Sequence, residues 1–141
     1  MVLCIDDEPM VLATRKLVLQ AAGYDVVTAP GGREGLELFA SNTIDAVVLD
    51  YLMPGLTGDE VAAEMKRLNP KIPIVMLSAF VSLPHAALET VDAFVTKGEH
   101  PTVLLDKLQE LLGPPKYSLD IMLSDHSGSR CAVKCRRNGA S

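Results

Sequence analysis

The stretch Val47-Val48-Leu49-Asp50-Tyr51-Leu52-Met53-Pro54-Gly55 decides how this sequence is read. Its apolar, β-branched start is the mark of a strand buried on both faces. The run then ends on a carboxylate, Asp50, and breaks at Met53-Pro54-Gly55. An acid at that point has an ordinary explanation, because Asp closes strands by bonding nearby backbone amides in a turn. Whether Asp50 does more depends on what else reaches the same edge.

Outward from this strand, the chain alternates short apolar runs with helical patterns. Residues 2–5 (VLCI), 25–29 (DVVTA), 44–49 (IDAVVL), 72–77 (IPIVML) and 92–96 (DAFVT) read as five strands. Between the first two, Pro9 opens a helix with Val11, Leu12, Val18 and Leu19 on one face, and Gly23 ends it. A second helix follows Gly31, with Leu36, Phe39 and Ala40 at helical spacing, although its glycines weaken the pattern. The third opens with Thr57 and Glu60 at capping-box spacing and turns Val61, Ala62, Met65 and Leu68 inward. The segment around Pro84 supports only a short fourth helix. The fifth carries Leu104, Leu108, Leu111 and Leu112 and stops at Gly113.

Five buried strands alternating with five helices predict a doubly wound α/β domain over residues 1–113, with helices on both faces of a parallel sheet. Residues 114–141 form a separate short extension. Its alternation at Tyr117, Leu119, Ile121 and Leu123, then again near Cys131, is compatible with a β-hairpin or with a disordered tail.

Composition narrows the function. Of 141 residues 48% are hydrophobic and the net charge is −5, which argues against a nucleic-acid partner. The charge is divided: residues 1–113 hold 16 acids and 8 bases, and the extension holds 2 and 5. Cys4 falls in a buried strand, while Cys131 and Cys135 lack the further ligands a zinc site needs. No leader pattern and no membrane-length apolar run is present, so a reducing, cytoplasmic setting is expected.

Ligands of such sheets bind beyond the carboxyl ends of the strands. There the first strand ends on Asp6 and Asp7, the third on Asp50, the fourth on Ser78 and the fifth on Lys97. With strand order 2-1-3-4-5, the three acids converge, flanked by a hydroxyl and an ammonium. Three close carboxylates repel one another, and a hard divalent cation such as Mg²⁺ relieves the conflict. Cation, ammonium and hydroxyl together suit a phosphoryl group, with Asp50 as the nucleophile that accepts it. Singly, each residue is a turn, cap or solvated charge. Jointly they point to a site.

The motifs CIDDEP (4–9), VVLDYLMPGLTG (47–58), VMLSA (75–79) and DAFVTKG (92–98), in this order and spacing, resemble the receiver domain of two-component response regulators, of the single-domain, chemotaxis-regulator kind. The resemblance implies a flavodoxin-like fold and a phospho-accepting switch fed by a histidine kinase or a phosphotransfer protein. It implies Mg²⁺ on Asp7, Asp50 and the Leu52 carbonyl, with Asp6 acting through water. It also implies switch roles for Ser78 and Phe94, and a signalling protein rather than an enzyme. Two features depart from the pattern: Gly98 follows the lysine where proline is usual, and the fourth helix is weak. Leu52 and Phe80, both bulky and apolar, flank the approach of a hydrolytic water and predict slow self-dephosphorylation.

With 28 residues after Gly113, output is expected through contact with an unidentified downstream protein, with no membrane partner; self-association stays open. A phosphorylation-independent interaction module is the alternative. A metal-dependent phosphatase ranks lower, because Leu52 stands where that chemistry wants a second acid. His85, His100 and His126 lie outside the constellation.

Overall fold

The computed structural model describes residues 1–79 and 83–113. The expectations placed on residues 114–141, with Cys131, Cys135 and His126, and on Phe80 lie outside the described residues. Five strands, β1 (Val2–Ile5), β2 (Val26–Ala29), β3 (Ala46–Asp50), β4 (Ile74–Ser78) and β5 (Ala93–Thr96), form one sheet. All pairings are parallel and the order is β2-β1-β3-β4-β5. The helices are α1 (Pro9–Ala21), α2 (Gly32–Ser41), α3 (Gly58–Leu68), α4 (His85–Leu88) and α5 (Pro101–Leu112). This is the doubly wound, flavodoxin-like arrangement that the alternation predicts.

Side-chain alternation along the strands splits the interior into two cores. Leu3, Ile5, Val47, Leu49, Ile74 and Met76 face α2, α3 and α4, where Val61, Ala62, Met65 and Ala87 are buried. Val2, Cys4, Val48, Val75, Leu77 and Val95 face α1 and α5, meeting Leu12, Leu19, Leu104 and Leu108. Cys4 is fully buried, and burial pushes its thiol up to about 12, so it is an inert core residue.

The glycines that weaken the α2 pattern belong to its buried face. A Cβ at Gly35 would lie 2.3 Å from Ile5 Cδ1, and one at Gly32 would lie 2.7 Å from Val61 Cγ2. The helix therefore lies close against the sheet and its neighbour. Its inward stripe runs through Gly32, Gly35, Leu36 and Phe39, and Ala40 is turned to solvent, contrary to expectation. Leu68, also expected inside, is 49% exposed because α3 ends there and carries it past the sheet. The capping box at the start of α3 forms, with the Thr57 amide donating to Glu60 Oε1 at 2.9 Å. As expected, α4 is short, only four residues, with Pro84 at its N-cap.

Candidate functional site

Each strand end delivers its side chain for a local reason. Beyond β1, the Asp6 amide donates to Ala29 O at 3.2 Å, so Asp6 stays within the sheet's bonding pattern and is fully buried. Its Oδ1 accepts the Glu8 amide at 3.0 Å, a turn that leads into Pro9 and α1. Asp7, between them, is exposed. The last residue of β3 is Asp50, 3% exposed. The Tyr51 amide then donates to Leu77 O at 2.9 Å, which carries the backbone one step past the carboxylate.

The start of α3 closes against this turn. The Gly58 amide donates to Tyr51 O at 2.7 Å. A Cβ on Gly58 would lie 2.5 Å from Asp50 O and 2.8 Å from Tyr51 Cα. Only glycine permits that approach.

On the far side, the Lys97 amide donates to Ser78 O at 2.7 Å, tying the ends of β4 and β5 together. Ser78 is 1% exposed, and it sits one register step beyond the level of Asp50. Phe94 is half-buried on β5 and packs against the core that includes Met76, Leu83 and Ala87. Leu52, two residues beyond Asp50, is 51% exposed. Gly98 has open space about its Cα, so packing does not demand a glycine there.

The expected acids do converge. One oxygen from each of Asp6, Asp7 and Asp50 falls in a group whose members all lie within 4.8 Å of one another. Lys97 Nζ bridges two of them, 3.1 Å from Asp50 Oδ1 and 3.2 Å from Asp6 Oδ2, with Glu8 Oε1 at 4.0 Å. Burial raises the Asp50 carboxyl above its usual range, and the neighbouring Asp6 charge adds to this against the pull of Lys97. For Lys97, burial alone would lower the ammonium, but its contacts with Asp50 and Asp6 outweigh it and the net shift is upward. One ammonium is thus shared among carboxylates that outnumber it. An all-oxygen donor set of this charge, with Asp7 at the open side, fits a hard divalent cation.

Two residues of this neighbourhood have roles that the motif reading does not assign. Gly58 is one. The other is Arg15 of α1, whose Nη1 donates to Asp6 Oδ2 at 3.3 Å and whose side chain is only 9% exposed. Its signal lies in the spacing: Leu12, Arg15 and Leu19 fall at i, i+3 and i+7, which sets a guanidinium within an inward stripe. His85 and His100 are on the surface, and His100 Nδ1 accepts the Thr102 amide as the cap of α5.

Comparison with known proteins agrees with this geometry. Residues 2–109 match the family model described as the response regulator receiver domain. The transcriptional regulatory protein GlrR of Escherichia coli is 34% identical over 113 residues, which are 78% of this chain and 26% of that protein. The chain therefore spans about a quarter of that relative's length. The response regulator TrrA of Thermotoga maritima, solved in complex with Mg²⁺-BeF, superposes with a TM-score of 0.75 at 34% identity, covering 78% of this chain and 96% of that one. A second structure, the histidine kinase ThkA in complex with TrrA, gives a TM-score of 0.73 at 34% identity over 79% and 97%.

Proposed function

Because this chain belongs to the response regulator receiver domain family, we propose that it is a phospho-accepting switch of a two-component phosphorelay, with Asp50 as the acceptor. The observation that carries the reading is a carboxylate 3% exposed at the switch point of the sheet, crowded by Asp6 and Asp7 and contacted by Lys97 at 3.1 Å. Evolution of so costly an arrangement is hard to explain by stability alone, since carboxylates crowded in a buried site oppose folding.

In this reading an Asp50 oxygen attacks the phosphorus of a phosphohistidine on a kinase or phosphotransfer protein. A P–O bond forms on Asp50 as the P–N bond breaks, and the leaving imidazole takes its proton from solvent. Lys97 already lies against Asp50 Oδ1 and balances the charge that accumulates on the transferring oxygens. Asp6, Asp7, Asp50 and the Leu52 carbonyl would hold Mg²⁺, Asp6 through a water. When bound, that ion neutralises phosphoryl oxygens as a Lewis acid. Ser78 would then turn its hydroxyl toward the phosphoryl group, and Phe94 would follow inward. Both sit on the two strands that the Lys97 amide ties together. The output is a shift between two packings around α4, β5 and α5, read by a downstream protein in the cytoplasm. The solved complex of TrrA with the kinase ThkA supports a histidine kinase as the donor's class.

The test is intact mass after incubation with acetyl phosphate and Mg²⁺. One phosphoryl group should be gained by the parent chain, and none without the metal or in Asp50→Asn. A gain that persists in Asp50→Asn would remove Asp50 from its role.

A further inference from the structure

Arg15 is a charged residue at a core position. Leu12 and Leu19 on the same stripe of α1 are buried in the core that α1 and α5 share. The Arg15 side chain is 9% exposed and reaches Asp6 Oδ2 at 3.3 Å. A guanidinium is not withdrawn from water without a partner, and here that partner is a fully buried acid of the trio. Three donors then occupy Asp6 and leave one acceptor site on Oδ1. Its Oδ2 faces Arg15 and Lys97, and its Oδ1 accepts the Glu8 amide.

The charges can be counted. Asp6, Asp7 and Asp50 bring three negative charges, and Lys97 returns one. Arg15 returns a second, leaving one negative charge where a divalent cation would otherwise meet two. A guanidinium keeps its charge at every relevant pH, so this compensation is permanent. Phosphoryl transfer adds one negative charge at Asp50, and the second cation then becomes favourable. A dianionic phosphoryl group on Asp50, Asp6, Asp7, Mg²⁺, Lys97 and Arg15 sum to neutral, and Glu8, 4.0 Å from Lys97 Nζ at the rim, adds one negative charge. Without Arg15 the same state carries one more uncompensated negative charge.

Resting on the Mg²⁺ reading above, we propose that Arg15 is a positioning residue that acts through Asp6 to weaken Mg²⁺ binding in the unphosphorylated chain. It serves as a second fixed cation, set from the α1 side, that holds the acid trio partly neutral until the phosphoryl group arrives. The wall that Arg15 helps to form also includes Met10, Val11, Val18 and Leu104, around a pocket of about 340 Å³. An apolar side chain of similar length therefore has a place there.

The experiment is calorimetric titration of the full chain with Mg²⁺ at low ionic strength, comparing the parent with Arg15→Met, Arg15→Gln and Arg15→Lys, each checked for a cooperative thermal transition. Arg15→Met should bind Mg²⁺ about tenfold more tightly, and its melting temperature should rise further on adding the metal than the parent's does. Arg15→Gln carries the same expectation should the Met variant not fold. Arg15→Lys, which keeps the charge, should stay within about twofold of the parent. Unchanged or weaker binding in the neutral variants overturns the proposal, and so does equal tightening in Arg15→Lys. Metal binding by the parent is judged separately: if it binds and the neutral variants match it, only the role of Arg15 falls. If neither parent nor variants bind, the metal reading falls with it.

Discussion

At the amino end of the sheet, Asp92 Oδ2 accepts the Ile74 amide and Lys66 Nζ, each at 2.8 Å. At the carboxyl end, Asp6 and Asp50 share one lysine, and Asp7 stands beside them. The residue type is the same and the physics is opposite. Asp92 is part-exposed, has one cation to itself and staples the start of β5 to β4 and α3. Asp50 is buried among other carboxylates, and its carboxyl is raised by burial and by Asp6. A paired acid at a sheet end is structure. A crowded acid is a site waiting for a positive charge.

Four substitutions probe this contrast. Gly58→Ala forces a methyl group into the backbone of Asp50 and Tyr51, at 2.5 and 2.8 Å. It should cost about 3 kcal/mol in urea unfolding. A cost near zero would mean that α3 does not press on the end of β3.

Leu52→Asn acts on the phosphorylated chain. Leu52 is half exposed beside the acceptor, and a polar side chain there should admit and orient water. The phosphoryl lifetime should shorten about tenfold, equivalent to ~1.4 kcal/mol in the barrier. An unchanged lifetime, followed by the decay of the phosphorylated mass, would discard the shielding role.

The remaining two changes should move stability in opposite directions. Asp92→Ala removes the bonds to Ile74 and Lys66 and should destabilise by about 1 kcal/mol, a modest value because the pair is partly solvated. Asp50→Asn without metal should stabilise by about 1 kcal/mol or less at neutral pH. The sign follows from the shift. A carboxyl raised in the folded state favours folding when protonated, and loses that contribution as pH rises through the folded-state value. The amide never ionises. The gap between Asp50→Asn and the parent should therefore close on acidification, as Asp50 takes up its proton. Thermal melts across pH check both. A destabilised Asp50→Asn at neutral pH would place Asp50 in the same class as Asp92.

The strands and the residues of the carboxyl edge were legible because each rests on a local signal, an apolar run or an acid or base where such a run stops; the sheet order has no such signal and followed from the family resemblance. What escaped depends on how closely elements approach. Gly32 and Gly35 look like breaks in a helix, and only the distance to Val61 and Ile5 shows them as its contact face. Gly58 reads as an ordinary first helical residue until α3 is seen against Asp50 O. Ala40 and Leu68 fit a helical stripe, but they lie at helix ends where the stripe runs past the sheet. Arg15 was legible in principle, since a charge at i+3 from Leu12 and i−4 from Leu19 requires a buried partner. Which acid supplies it could not be read before the fold brought α1 over the end of β1.

The position of the phosphoryl group decides whether Asp50 is the acceptor. Borohydride reduces an acyl phosphate to the alcohol, so a phosphorylated aspartate becomes homoserine. The chain should be treated with acetyl phosphate and Mg²⁺, reduced, digested and sequenced by tandem mass spectrometry. Homoserine is expected at position 50 alone. Homoserine at position 6 or 7, or at no position in a chain that has gained phosphoryl mass, would contradict it.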